Sequence, residues 1–132
     1  MASVFTKIID GELPGRFVYS DDDVVAFLTI APLKPGHTLV VPRREVASWT
    51  EMSEAELATL WAACRRVGQA IEQVYRPGKV AALLLGLEVP HVHVHLVPID
   101  SEAEVHFDRV DPNPDPAALD EAQQAIAAAL GR

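Results

Sequence analysis

Short apolar stretches bounded by Gly, Pro and Asp make up much of the chain, and they predict strands joined by tight turns. The opening third contains the breakers Gly11, Pro14 and Gly15, so we expect strands and turns there rather than a helix. Later, a turn at 86–90 separates two neighbouring stretches, which predicts an antiparallel pair. The predicted strands cover residues 17–19, 24–30, 37–41, 79–85 and 91–97.

One long stretch instead repeats its apolar residues every three or four positions, which is the period of a helix buried on one face. Ser53 and Glu56 form a capping box, because the Ser hydroxyl can accept from the Glu56 amide while the carboxylate returns to the Ser53 amide. The helix should therefore begin at Ser53 and end before Pro77. Its apolar face, which we expect to be core, consists of Leu57, Leu60, Trp61, Cys64, Val67, Gly68, Ile71 and Val74.

A second helix is predicted at the end of the chain, over residues 117–130. It follows an extended Pro-rich linker at 111–116, with Asp115 as N-cap and Pro116 at the first helical position. We therefore expect an α+β fold with a five-stranded antiparallel sheet, one long helix and a C-terminal helix. Residues 1–110 would form the domain, and 111–132 would pack on it.

Composition narrows the possible partners. The formal net charge is −8 over 132 residues, so a nucleic-acid or anionic-membrane partner is not expected, because either would require a basic surface. Cys64 is the only cysteine, which excludes an intrachain disulfide and a cysteine-based zinc site. No apolar leader or membrane-length stretch is present, so we expect a cytoplasmic protein.

The last predicted strand carries the candidate chemistry. His91, His93 and His95 alternate with apolar residues and account for three of the five histidines in the chain. Because side chains of a strand alternate between faces, we expect all three imidazoles on one face of a single strand. Neutral imidazole is a good nucleophile near pH 7 and also a good leaving group.

This run resembles the signature of the histidine triad (HIT) superfamily, and the resemblance extends over residues 3 to 100. Further matching blocks occur in order at 5–9, 12–14, 21–28 and 36–42, and such an ordered set is more specific than any single block. The resemblance implies the α+β protomer predicted above and a homodimer with sheets joined across the two-fold axis.

The resemblance also implies reaction at the α-phosphate of a nucleotide through a covalent nucleotidyl-histidine. His93 would be the nucleophile, the carbonyl of His91 would orient it, and His95 with His37 would donate to the phosphate or leaving group. Backbone amides around Gly86 would add donors. No tightly held cofactor is expected. The substrate would be a nucleotide with a purine base, in an apolar pocket of Val4, Phe5, Ile8, Leu13, Phe27, Thr29 and Ile30.

The chain departs from the family pattern at three points. The phosphate loop reads Gly86-Leu87-Glu88 where Gly-Gln-Ser or Gly-Gln-Thr is common, and an Asn before the triad is missing. Thr29 replaces the usual ribose-binding acidic or amide residue. Some family members carry zinc-binding cysteines near the N-terminus, where this chain has Ser3 and Thr6. A Glu88 carboxylate that faces the site would favour an amine leaving group over a second anionic nucleotide.

Two other interpretations remain open. Three imidazoles and a water can hold zinc, but alternate residues spread along about 13 Å of strand do not converge on one ion, so no metal is expected. The altered loop also allows a HIT-like module that binds nucleotides or a protein with little turnover. Arg43 and Arg44 are expected as a solvated pair. His106 and Phe107 are expected as surface or packing residues, with the alternative that they fold over the site or over the partner subunit's site.

Overall fold

A five-stranded antiparallel sheet carries helices on both faces in the computed structural model, which describes residues 2–131. The strand order is β1-β2-β3-β5-β4. In chain order the elements are α1 (Val4–Ile9), β1 (Phe17–Ser20), β2 (Val24–Leu28), β3 (Thr38–Pro42), α2 (Glu54–Tyr75), β4 (Lys79–Leu83), β5 (Val94–Ile99) and α3 (Pro116–Leu130), with 3-10 helices at Trp49–Glu51, Glu102–Val105 and Phe107–Arg109. The predicted α+β class and five-stranded antiparallel sheet are confirmed.

The central strands β2 and β3 are buried at every residue, because both faces of the sheet are covered. One face packs on α2 and α3 and forms the larger core, which includes Val40, Leu60 and Ile126. The opposite face forms a smaller core of Phe5, Val25, Phe27, Leu39 and Val41, with α1 against it. Double burial explains why these strands are apolar at every position except Thr38, whose buried hydroxyl donates to the Gly36 carbonyl, rather than alternating.

The long helix follows its sequence signals closely. Ser53 accepts from the Glu56 amide, and Glu56 accepts from the Ser53 amide, so the predicted capping box is present. The helix ends at Tyr75, and Arg76 adopts a left-handed conformation before Pro77. Cys64 is buried as predicted, but the prediction that Trp61 lies in the core is wrong. Trp61 is 42% exposed and lies on a face of α2 that no other element of residues 2–131 covers completely.

Two local predictions are also wrong. The opening third contains the helix α1, which is capped by Ser3, and a six-residue helix is too short to produce a clear apolar period. The three histidines do not share one strand either: β5 begins at Val94, so His91 and His93 precede it and only His95 is paired.

The C-terminal helix begins at Pro116 with Asp115 as its cap, as predicted, and it packs against α2 and β1. Within residues 2–131, no helix combines the length and apolar character needed to cross a bilayer.

Candidate active site

A cavity of about 860 Å³ opens on the face of the sheet that α1 covers. A volume of this size is typical of small-molecule sites. Eleven of the predicted site residues line it: Val4, Phe5, Ile8, Phe27, Thr29, Ile30, Gly86, Leu87, Glu88, His93 and His95.

Three predicted residues do not line the cavity. Leu13 was expected in the nucleoside pocket, but it lies outside the lining and is 38% exposed, although the next residues, 14–16, do line the cavity. His37 and His91 are buried behind the wall and act on the cavity only through other residues.

Strand register builds the floor of the cavity. Phe27 pairs with Leu39, and Leu39 pairs with His95, so the three side chains form one row across β2, β3 and β5. Directly paired residues share a face of the sheet. The row therefore joins an apolar region at Phe27 to an imidazole at His95.

The ring of His93 is fixed by its own backbone neighbour. Its Nδ1 atom lies 2.7 Å from the carbonyl oxygen of His91. Because a carbonyl oxygen can only accept, Nδ1 carries the proton and the neutral ring has an unprotonated Nε2. Phe5 packs edge-on against this ring, with 4.7 Å between the ring centroids. The arrangement leaves a nucleophilic nitrogen at the cavity wall.

A second chain of hydrogen bonds fixes His37 and His95. The Leu33 amide donates to Nδ1 of His37 over 2.9 Å, so the proton of neutral His37 is on Nε2. This Nε2 lies 3.0 Å from Nδ1 of His95, to which it therefore donates. The proton of His95 is then on its own Nε2. His93 and His95 thus offer an acceptor and a donor side by side, with ring centroids 4.9 Å apart.

Burial keeps these rings neutral. It lowers the pKa of His37 to about 3 and that of His95 to about 4, and the neighbouring imidazole adds to each shift. Burial also lowers the pKa values of His91 and His93, although the acceptors Pro42 O and His91 O oppose the shift. All four rings are therefore neutral near pH 7, which is the state required for a nucleophile and a neutral donor.

The loop at 86–88, which was predicted to contact phosphate, lines the cavity. Gly86 has a φ of +83°, which favours glycine, and it turns the chain sharply after β4. Leu87 is 96% exposed, and Glu88 is also exposed at the rim. Thr29 uses its hydroxyl to accept from the Ala31 amide, at 3.2 Å.

Several further residues line the cavity. Phe107 was expected at the surface or in packing, with a position over the site as the alternative, and it lines the cavity and packs edge-on against His95 at 4.9 Å. Arg16 and Asp120 form an ion pair of 2.8 Å that also lines the cavity. No motif marks these residues, because they reach the site from segments far apart in the chain. His106 is exposed. Arg44 is also exposed, and it forms an ion pair with Glu56.

Within the part of the chain that the structure describes, no three His, Cys, Asp or Glu side chains are placed to share a metal ion. His37 and His95 contact each other directly, and His91 is occupied by hydrogen bonds on both ring nitrogens.

Comparisons with known proteins agree with this geometry. The family model of the HIT domain matches residues 10–102. An uncharacterized HIT-like protein of Methanocaldococcus jannaschii is 38% identical over 103 residues, covering 72% of this chain and 77% of that protein. The asymmetrical bis(5'-nucleosyl)-tetraphosphatase of Schizosaccharomyces pombe is 38% identical over 78 residues, covering 55% of this chain and 43% of that enzyme. A hypothetical histidine triad nucleotide-binding protein of Sulfolobus tokodaii superposes with a TM-score of 0.84 at 26% identity, covering 96% of this chain and 91% of that one.

Proposed function

Because this chain belongs to the HIT domain family, which includes nucleotide hydrolases, we propose that it is a nucleotidyl hydrolase or transferase. It acts at the α-phosphate of a nucleoside phosphoramidate or phosphoanhydride and forms a covalent nucleotidyl-His93. The observation that carries this proposal is the hydrogen bond from His93 Nδ1 to the His91 carbonyl, which leaves Nε2 free to attack.

In the first step, Nε2 of His93 attacks phosphorus and the bond from phosphorus to the leaving group breaks. The leaving atom departs with the electron pair of the broken bond and accepts a hydrogen bond from the Nε2–H of neutral His95, and a leaving amine takes its proton from solvent. The His93 ring becomes cationic when it is nucleotidylated. The carbonyl oxygen of His91 stabilises that cation through the 2.7 Å hydrogen bond.

In the second step, water attacks phosphorus and the bond from phosphorus to nitrogen breaks. The attacking water loses a proton to solvent, the electrons of the broken bond return to Nε2 of His93, and His93 is again neutral with its proton on Nδ1, while His95 keeps its Nε2 proton throughout. The products are a nucleoside monophosphate and the resting enzyme. An acceptor other than water would give nucleotidyl transfer by the same steps.

The cavity suits a nucleoside beside the reacting phosphate. Phe5, Ile8 and Phe27 supply apolar surface for a base, with a purine as the expected base, and Thr29 is the nearby polar residue for the sugar. Phe107 lies at the other end of the imidazole pair, against His95. The nucleotide therefore has an apolar contact on each side of His93 and His95.

We also propose that the active species is a homodimer. The edge strand β4 has no neighbour on one side within residues 2–131, and exposed Trp61 stands beside it on α2. These elements frame a shallow apolar face that includes Val80, Ala82 and Leu96. A second copy that covers this face would pair the edge and bury Trp61.

The test of the catalytic proposal compares wild type with His93→Gly and His93→Ala on a panel of substrates. The panel contains purine nucleoside phosphoramidates, adenylyl anhydrides and dinucleoside polyphosphates. We expect nucleoside monophosphate release by the wild type and a loss of about a thousandfold or more in both variants. Rapid quenching should reveal an acid-labile nucleotide adduct by intact mass, on wild type only. His106→Ala is the matched control, because this histidine is exposed and lies outside the cavity, and it should keep full activity.

Nucleotide binding without release by the wild type would contradict the proposal and support the binding module instead. Release that survives in His93→Gly would also contradict it.

A further inference from the structure

The hydroxyl of Ser3 joins the start of α1 to the first histidine of the triad. Its Oγ accepts from the Thr6 amide at 3.1 Å, which caps the helix, and it lies 2.7 Å from Nδ1 of His91. Ser3 is 9% exposed and His91 is 0% exposed, so water does not compete for this contact. The family match begins at residue 10 and does not include Ser3.

The direction of the contact follows from the other side of the ring. Nε2 of His91 lies 2.8 Å from the carbonyl oxygen of Pro42, so the proton of the neutral ring is on Nε2. Nδ1 must then accept. The Ser3 hydroxyl has one proton, which it donates to Nδ1 of His91. A lone pair of the same oxygen accepts from the Thr6 amide and caps α1.

The His91 ring is thereby held at both nitrogens, and its backbone carbonyl is the group that fixes His93. Rotation of the ring would break a buried hydrogen bond on each side. Glu45 holds Ser3 in turn, since its Oε1 accepts from the Ser3 amide at 2.8 Å and from the Thr6 hydroxyl at 2.7 Å. These bonds form a chain from α1 to the nucleophile.

We propose that Ser3 is a positioning residue for the reaction. Its hydroxyl holds Nδ1 of the neutral His91 ring while Pro42 holds Nε2, and so fixes the backbone carbonyl that sets the angle at which His93 Nε2 faces phosphorus. The inference rests on the proposed function for its effect on rate, but its effect on the His91 ring is a property of the resting protein. Because Ser3 also caps α1, which carries Phe5 and Ile8 into the cavity, one hydroxyl links the nucleoside wall to the nucleophile.

The experiment uses three substitutions and a matched control. Ser3→Ala removes both the cap and the donor. Ser3→Asp keeps a capping acceptor but cannot donate to Nδ1 when it is ionised. Ser3→Thr keeps both functions. Ser53→Ala removes an equivalent cap from α2, far from the cavity, and controls for lost helix stability alone.

Two quantities are measured on each variant. Long-range proton–nitrogen spectra of the resting protein report which nitrogen of His91 carries the proton. Single-turnover kinetics with a saturating nucleoside phosphoramidate give the rate of nucleotidyl transfer, and steady-state kinetics give KM.

For Ser3→Asp we expect the carboxylate to accept a proton from His91 Nδ1 while Pro42 O still accepts from Nε2, so the ring holds two protons. The transfer rate should fall about tenfold, with KM within about twofold of wild type. Ser3→Ala should lose rate similarly, whereas Ser3→Thr should keep both the neutral ring and the rate. Ser53→Ala should change neither. An unchanged rate in Ser3→Asp, or an unchanged His91 protonation state, would overturn the inference. If neither the wild type nor any variant shows turnover, the catalytic proposal fails, and the spectra of the His91 ring still decide whether Ser3 holds it.

Discussion

Glu88 gives the proposed phosphate loop, Gly86-Leu87-Glu88, a negative charge. Its carboxylate is exposed at the rim of the cavity that contains His93 and His95. A unit charge within about 7 Å of a phosphate in watery surroundings is worth about 0.6 kcal/mol, or about threefold in rate. Repulsion of that size does not abolish activity, but it discriminates between leaving groups that differ in charge.

Removal of this charge should therefore change specificity more than rate. We expect Glu88→Gln to raise kcat/KM for a dinucleoside polyphosphate about threefold at low salt and to leave a phosphoramidate with an uncharged amine within about 1.5-fold. The measurement is the ratio of the two kcat/KM values, repeated at high salt, where the gain should shrink. Asp22→Asn makes the same charge change on an exposed turn outside the cavity and should leave the ratio unchanged. An equal gain on both substrates would show that repulsion of the leaving group is not the cause.

The residues of the site were predictable to the extent that they belong to a local pattern. His93, His95 and Phe5 lie in short motifs, and the structure brings them to one cavity. Phe107 and Asp120 lie beyond those motifs, and no spacing rule indicates that they fold back. The tautomers also lie outside sequence reasoning, because each depends on a partner distant in the chain, such as Pro42 for His91.

At the scale of elements, long periodic segments were predictable and short ones were not. The helix α2 has a capping box, an apolar face and a Pro-Gly stop, so three independent signals agree on its bounds. The helix α1 has six residues, and its stability depends on packing against the sheet and on its cap rather than on its own period. The strand β5 starts later than its alternation suggests. Alternation predicts on which face of a sheet each side chain lies, but not whether the backbone hydrogen-bonds to a neighbouring strand.

The exposed position of Trp61 on α2 allows a test of the proposed dimer surface. A period of three or four identifies the apolar face of α2. That face is wider than the part that packs on the sheet, so Trp61 at its edge stays exposed. If β4 and α2 form the dimer surface, Trp61→Glu should convert the protein to a monomer at low micromolar concentration, because a charge would be buried there. Sedimentation equilibrium measures the change. Trp49→Glu alters a tryptophan that is 48% exposed and lies outside this face, and it should leave the assembly state of the wild type intact. A monomeric wild type would contradict the dimer proposal.

At the scale of the whole molecule, buried neutral histidines couple folding to pH. His37 has a pKa of about 3 and His95 of about 4 in the folded state, chiefly because of burial, against about 6.5 when unfolded. Above pH 6.5 both histidines are neutral in the folded and in the unfolded state, so their titration does not affect stability. Below pH 6.5 these two histidines bind protons in the unfolded chain but stay neutral in the folded protein. The free energy of unfolding therefore decreases until the folded-state pKa values are reached.

The size of this effect can be separated from that of the acidic residues. The titration of His37 alone should lower the free energy of unfolding by on the order of 2 kcal/mol between pH 8 and pH 5. The carboxylates of Glu56 and Glu104, whose pKa values are lowered to about 2 by Arg44 and Lys34, lose their contribution only as pH falls below about 4.5. Urea denaturation at fixed protein concentration should therefore show a falling midpoint already between pH 6.5 and 5. His37→Gln keeps an acceptor for the Leu33 amide but cannot titrate, so its midpoint should fall less over that range. Equal slopes for the variant and the wild type would show that the imidazole of His37 is not the group that couples folding to pH.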